Sequence, residues 1–454
     1  MLKKTTEFSV VFRELINSIK FKVKHRIKQS DFTREVKLTF AIMIGLMIKK
    51  SSKSSQNSLN DMTLNGDIDY TVTNSAYTQA RAKLNYTAFI EMKDKSVDMF
   101  YKDGEFNKYK GLRLLAIDGS IVILPNTDDV KKEFNPTTAK CQLPEYKKDV
   151  VQARISTLYD VMNNMAIDAS INNKVSRDDN DLISYDERTL ALQHLEFCSK
   201  DDLVIFDRGY PSYELFAKYA DKTNFLMRIK QRTFSKVSSL FYSHCEQKDI
   251  IVELNAPKNL KDDLRKLNLP IKMRVRFVQV ILNNGTVEVL ATNILDNRLL
   301  QTSDFKELYA RRWGIETYYD VLKNRLSLEN FTGLTALAIK QDFYATIFLA
   351  NYEAMLVYDT NLEFQEKAGD NKYAQQVNKA QSFNAIKHKA FDIFYSKKRL
   401  SKQMKELEKL FAINPVPIRT NRETKPRLDK DAQKSTIATN ALNFWKRKKK
   451  NVGN

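Results

Sequence analysis

The sequence predicts an α/β protein, a mixed sheet flanked by helices, and three patterns carry that prediction. Between Gly111 and Ile229, short apolar runs alternate with helical stretches in the order strands, helix, strand, helix, strand. Between Ile250 and Leu290, a second set of β-like runs turns on Asn283-Asn284-Gly285. The first hundred residues hold no proline and few glycines, as helices require. The chain should therefore be a mixed-sheet core with a β-rich insertion, bracketed by helical regions.

The elements follow in order. An apolar run from Leu38 to Ile48 follows Phe32-Thr33, and Ser51 to Ser58 is a polar break. Thr73-Asn74-Ser75 supplies N-cap chemistry for a helix from Ala76 to Leu84. That helix carries Gln79, Arg81 and Lys83, side-chain types that reach base edges and phosphates, so it is a candidate DNA-binding helix. Leu112 to Ile117 is a short apolar strand ending in Asp118-Gly119-Ser120, continued by Ile121 to Leu124. Arg154 to Met162 and Met165 to Ile171 read as strands joined at Asn163-Asn164. Asp186 to Cys198 reads as a helix, and Leu203 to Phe206 as a strand ending at Asp207-Arg208-Gly209. Pro211 to Ala220 is the next helix, with proline near its start, and Phe225 to Ile229 the next strand. Ile250 to Leu254, Met273 to Leu282 and Thr286 to Leu290 form the β-rich insertion. Asp304 to Leu326 should be one long helix capped by Thr302-Ser303, with helices continuing through Tyr358 and from Gln375 to Phe411. After Pro415 and Pro417 the chain turns polar and basic, ending in Trp445-Lys446-Arg447-Lys448-Lys449-Lys450.

The charge points outward, to a partner. Lys plus Arg number 75 against 55 Asp plus Glu, a net charge of +20, which favours a polyanion such as nucleic acid. Cys141, Cys198 and Cys245 are odd in number and far apart, which argues against a disulfide framework. His244-Cys245 lacks a second pair at finger spacing, which argues against zinc. Lysines interrupt residues 1–28, so no signal peptide is expected, and the apolar runs are short for a membrane span. A reducing, cytoplasmic compartment follows.

The chemistry concentrates in Tyr309-Ala310-Arg311-Arg312-Trp313-Gly314-Ile315-Glu316-Thr317-Tyr318-Tyr319-Asp320-Val321-Leu322-Lys323, which reads Y-x2-R-x3-E-x6-K. On a helix, Tyr309, Arg312, Glu316 and Lys323 fall within an arc of about 60°. A carboxylate among cations on one stripe suits a metal-dependent site on a phosphate backbone. Two more carboxylates have matching settings. Asp118 lies in an apolar strand, where an ionised carboxylate is costly unless paired or metal-bound. Asp207 ends a strand, where open sheets place ligands. Asp128, Asp129, Asp160 and Asp168 rank lower, since none ends a strand followed by glycine.

With these residues in place the chain resembles bacterial insertion-sequence transposases with an Asp-Asp-Glu active site, specifically the insertion-sequence family numbered four. Ile117-Asp118-Gly119-Ser120 is similar to its first-aspartate motif and Phe206-Asp207-Arg208-Gly209-Tyr210 to its second. Arg312 to Glu316 with Lys323 resembles its third, and Asn293-Ile294-Leu295 its approach to that segment. The resemblance spans roughly Phe32 to Gly333 and implies a ribonuclease-H-like core. It divides the chain into a helical DNA-binding region (1–108), a first catalytic part (109–230), the β-rich insertion (231–300), a second catalytic part (301–365) and a helical C-terminal region with a basic tail (366–454). It implies Asp118, Asp207 and Glu316 as catalytic ligands of two Mg²⁺ ions, for which Mn²⁺ can substitute. It implies Tyr309, Arg312 and Lys323 as DNA contacts, beside which Arg208 and, from the helix read above, Arg81 and Lys83 are further candidate contacts. The implied partners are double-stranded transposon inverted-repeat ends and target DNA, bound by a homodimer in the bacterial cytoplasm, associated with the nucleoid. Cleavage at the ends would precede strand transfer. A catalytically inactive DNA-binding derivative, or a nuclease without strand transfer, are the alternatives. One departure concerns the hairpin step of related enzymes, which stacks a flipped base on an insertion tryptophan. Residues 231–300 contain none, leaving Phe277 or another aromatic as the substitute, while Trp313 reads as helix packing.

Overall fold

A computed structural model describes residues 4–34, 37–51, 53–134, 150–173, 175–178, 181–184, 186–367, 373–396 and 399–418. Cys141 and the terminal basic cluster lie outside them. The strands are β1 (Arg113–Ile123), β2 (Gln152–Asp160), β3 (Met165–Asn172), β4 (Val175–Asp178), β5 (Asp181–Ser184), β6 (Asp202–Phe206), β7 (Asn224–Ile229), β8 (Asp249–Asn255), β9 (Lys272–Ile281), β10 (Val287–Thr292), β11 (Gln375–Gln376) and β12 (Val416–Pro417). The helices are α1 (Lys4–Asn17), α2 (Ile19–His25), α3 (Phe40–Ile48), α4 (Ser55–Leu64), α5 (Asn74–Arg81), α6 (Thr87–Tyr101), α7 (Asp128–Phe134), α8 (Glu187–His194), α9 (Tyr213–Lys222), α10 (Lys261–Lys266), α11 (Asp304–Ala310), α12 (Trp313–Asp320), α13 (Ala336–Glu366), α14 (Lys379–Phe394) and α15 (Leu400–Ala412).

One mixed sheet of eight strands, in the order β3-β2-β1-β6-β7-β10-β9-β8, organises the molecule. β1 runs antiparallel to β2 and parallel to β6, and β6 runs parallel to β7. β6 is buried along its whole length, as a central strand covered on both faces must be. Its one charge, Asp202, is neutralised by Arg113 at 2.7 Å. The β-rich segment is not a separate layer. Its strand β10 pairs with β7 (Val289 opposite Ile229), so β8, β9 and β10 extend the same sheet. Gly285, at φ +81°, adopts the left-handed backbone that the β9–β10 turn needs.

The 31-residue helix α13 covers the other edge. A register shift in β2–β3 leaves an irregular edge, and Asn351 binds it: its Oδ1 accepts from the Ala166 N–H at 2.8 Å and its Nδ2 donates to the Ala166 carbonyl at 2.9 Å. Asn351, a polar residue directly after the largely apolar 343–350 stretch of α13, thus blunts an open strand edge. α13 also packs on α6, where Tyr344 stacks on Tyr86 at 5.6 Å. α3 is buried nearly all round, and its Gly45 admits the Phe391 ring of α14 so closely that a Cβ would stand 3.2 Å from it. Among the described residues, no helix is long and apolar enough to cross a membrane.

Candidate active site

The sheet register brings the two aspartates together. Ala116 of β1 lies opposite Ile205 of the parallel strand β6. Asp118 and Asp207 each stand two residues further on, so they project from the same face at the same level. Asp118 lies inside β1, opposite Thr157, and its Oδ1 accepts from the Gly119 N–H at 2.8 Å. Helix α12 crosses this face and is tied down by the Tyr319 hydroxyl, which donates to the Asp118 carbonyl at 2.7 Å.

The helix bearing Glu316 differs from expectation. Residues 304–326 do not form one helix but α11, α12 and a π-turn over Val321–Arg325. At the junction the Arg312, Gly314 and Ile315 N–H groups bond three residues back, to Tyr309, Arg311 and Arg312. There α12 is pressed against the β2–β3 corner, and a Cβ on Gly314 would stand 3.1 Å from Val161. Ser303 precedes α11 without a side-chain cap bond; the Asp304 carboxylate instead accepts from the Gln301 N–H at 2.7 Å.

Arg312 is the hub. It is 5% exposed and donates to Glu316 Oε1 at 2.7 Å. Its charge also acts on both Asp118 and Asp207. Asp207 forms an ion pair with Arg228 at 2.8 Å and accepts from the Tyr309 hydroxyl at 3.3 Å. The Tyr309 ring lies under two guanidiniums, Arg228 and Arg312, each 5.9 Å from its centre. Lys323 donates to Ser120 Oγ and to the Ile121 carbonyl, both at 2.8 Å, two and three residues beyond Asp118.

The two aspartates are tuned oppositely. Burial pushes Asp118 up to about 6; the Gly119 N–H and Arg312 oppose this, while Glu316 and Glu187 add to it. Burial also disfavours the Asp207 anion, but the Arg208 N–H, Arg228, Arg312 and Tyr309 outweigh it and hold Asp207 below the usual carboxylate range. Desolvation lowers Lys323 against the opposing pull of Glu329. One carboxyl poised near neutrality beside another firmly ionised is a pattern of functional sites.

Glu187, in the first turn of α8, is a site residue that motif reasoning missed. Its side chain fills the space left by both motif glycines. A Cβ on Gly119 would stand 3.3 Å from Glu187 Cγ, and one on Gly209 would stand 3.6 Å from its Oε2. Arg154 holds it at 2.9 Å. In sequence it is an ordinary acid after an N-cap aspartate; a glycine beside each aspartate was the only signal.

The remaining expected residues separate. Arg208 and Lys83 are exposed. Arg81, expected to reach DNA, is 4% exposed and binds Gln341, Thr332, the Ala338 carbonyl and Asp342, so it is a core residue. Phe277 cannot offer a stacking face: it is fully buried in β9, packed against the Phe234 ring. Trp313, expected to pack, is 59% exposed, with the Arg312 guanidinium 5.0 Å from its ring. Asp160 and Asp168 are structural, bound by Tyr101 and Asn163 and by His194 and Lys93.

The donors are hard carboxylate oxygens, which suit Mg²⁺ or Mn²⁺. Asp118 fits such an ion best: it is half-buried, has no ion pair among the described residues, and is raised by its partial burial and then by its acidic neighbours. Among the described residues no three His, Cys, Asp or Glu side chains stand close enough to hold a metal ion, and Asp207 and Glu316 are each paired with an arginine.

No curated protein matches the chain. A solved structure, piggyBac transposase in a synaptic complex with hairpin DNA, is similar with a TM-score of 0.43 and 11% identity, over 89% of this chain and 80% of that one. The family described as "Transposase DDE domain" matches residues 109–352, more than half of the 454 residues and all of the site built above. The chain belongs to the DDE transposase domain family.

Proposed function

We propose that this transposase is of the insertion-sequence type, in the family numbered four, with a ribonuclease-H-like core. It binds the terminal inverted repeats of its element, cuts DNA there and joins the freed 3′ end to target DNA, working as a homodimer on paired ends. The observation that carries the reading is Arg312, whose one guanidinium binds Glu316 and acts on both Asp118 and Asp207. One cation thus links the three carboxylates, which would close on the ions once Asp207 and Glu316 leave their arginines.

Asp118, Asp207 and Glu316 would hold the divalent ions, which when bound would activate the attacking oxygen and stabilise the leaving one. For that, Glu316 and Asp207 must exchange their arginine partners. The scissile phosphate supplies the compensating anion, so Arg312 and Arg228 can turn from carboxylate to phosphate. Tyr309, stiffened between these guanidiniums, orients Asp207. Lys323, at the other end of α12, meets the strand beside Ser120.

The test is the purified chain with a labelled duplex carrying the inverted repeats that flank its gene. Mg²⁺-dependent nicking and strand joining are expected from the parent, and neither from Asp118→Asn, Asp207→Asn or Glu316→Gln. DNA binding without cleavage would establish the inactive derivative instead, and cleavage without joining the nuclease.

A further inference from the structure

We propose that Glu187 is a fourth carboxylate of the metal centre, working with the buried Tyr210 hydroxyl as a positioning pair that holds a water of the ion at Asp118. This rests on the reading of the site as a divalent-metal centre and adds two residues to it.

The placement comes from α8 and from the loop that follows β6. Arg188 donates to the Gly209 carbonyl at 3.2 Å through Nε and at 3.1 Å through a terminal nitrogen. The Asp207-Arg208-Gly209-Tyr210 loop is thereby pinned on the first turn of α8. Glu187, one residue earlier, lies between the two aspartate motifs. Its Cγ stands 3.3 Å from where a Gly119 Cβ would be, and its Oε2 stands 3.6 Å from where a Gly209 Cβ would be. Arg154 binds Oε1 at 2.9 Å, which leaves Oε2 without a hydrogen-bond partner among the described residues. The carboxylate is half-exposed, so water reaches it.

Tyr210 is the independent second observation. It is 1% exposed, its ring packs on Phe206 at 5.3 Å, and its hydroxyl has no hydrogen-bond partner among the described residues. A buried hydroxyl without a partner is costly, and native interiors keep few of them. After burial, the charges that act most on this phenol are those of Asp118 and then Glu187, and Glu187 acts in turn on Asp118. The hydroxyl therefore faces the two carboxylates and bonds to neither. A water of a divalent ion meets both needs. Mg²⁺ keeps several of its waters, and each has two hydrogens to donate. One hydrogen suits Glu187 Oε2 and the other the Tyr210 hydroxyl oxygen. A role through water also agrees with the spacing, since among the described residues no three acidic side chains stand close enough to share an ion directly.

The test is Mn²⁺ binding by the full chain, read from the spin resonance of free Mn²⁺, with and without a duplex carrying the element's end. Melts of the metal-free proteins run beside it. Glu187→Gln keeps the Arg154 bond and the packing on Gly119 but loses the charge, and Tyr210→Phe loses only the hydroxyl. Each should weaken Mn²⁺ binding about tenfold, the scale for groups that orient a metal's ligands. Without metal, Tyr210→Phe should melt at or above the parent, because it deletes an unbonded hydroxyl. Two folded variants that bind Mn²⁺ like the parent would overturn the proposal. So would a loss confined to one of them, since a charge acting at a distance explains Glu187→Gln alone. A parent that takes up no Mn²⁺ removes the metal chemistry of the proposed function as well. A parent that binds, and loses binding in Asp118→Asn while both variants match it, removes only this inference.

Discussion

Replacing Arg81 with Met separates a DNA-contacting arginine from a structural one. Arg81 is 4% exposed, and its guanidinium donates to Gln341 Oε1, Thr332 Oγ1, the Ala338 carbonyl and Asp342 Oδ1, all at 2.6–2.7 Å. Removing it strands the Asp342 carboxylate, which is fully buried. Breaking one side of a buried pair costs about 3–5 kcal/mol. Asp342 keeps the Thr332 N–H at 2.6 Å and the field of Lys50, so the lower end, about 3 kcal/mol, applies. The assay is urea unfolding of Arg81→Met beside the parent and the double variant Arg81→Met/Asp342→Leu. The double variant should recover most of the loss, because it leaves no charge unpaired. Burial disfavours the Asp342 anion, but Arg81, Lys50 and Thr332 outweigh it and hold it below the usual range. In the parent, that stability is present above the unfolded pKa near 4 and is lost as pH falls through the folded value. In Arg81→Met the stranded carboxyl rises, so the gap between the proteins should narrow on acidification, beginning above pH 4. Parental stability with selectively weakened DNA binding in Arg81→Met would refute this reasoning.

Three further outcomes follow from the site. Asp118 is raised to about 6. Its stabilising neutral form is fully present below the unfolded pKa and is lost as pH rises through 6. Asp118→Asn should therefore stabilise the metal-free protein by about 1–3 kcal/mol at pH 7.5, a range trimmed for partial exposure, and by nothing at pH 4; melts at the two pH values decide it, and an equal effect at both would be fatal. Gly119→Ala must displace Glu187 and should cost about 1 kcal/mol, a loss removed in a Glu187→Ala background; additive urea midpoints would show that the two do not touch. Trp313→Ala should move stability by less than about 0.5 kcal/mol, since the indole is exposed; in a Trp445→Phe chain the remaining fluorescence should be quenched by iodide, and a shielded, blue-shifted emission would contradict the exposure.

Local pattern carried much of the architecture. β1, β2, β3, β6 and β7 lie where apolar runs and turn residues put them, and Thr73 caps α5 by accepting from the Ala76 N–H. Asn283-Asn284-Gly285 is a hairpin turn because Gly285 alone there takes positive φ without strain. The helix over 304–326 misled, because helical spacing cannot register the close approach of Gly314 to Val161 beside the tightened junction at Arg312. Arg81 and Trp313 misled in opposite directions for one reason: a side chain's burial depends on which element lies across from it. Nothing local shows that α13 stands over Arg81 or that the space outside Trp313 is open.

By itself, then, the sequence determined the order of strands and helices and which carboxylates end strands or ride among cations, since these depend on neighbours within a few residues. Tertiary structure alone decided that Asp118 and Asp207 share a level, through the parallel register of β1 and β6. It alone placed Arg312 among the carboxylates and Glu187 between the two glycines. It also fixed how strongly Asp118 holds its proton. Desolvation and charge act through space between elements far apart in the chain, and spacing along a sequence does not contain those distances.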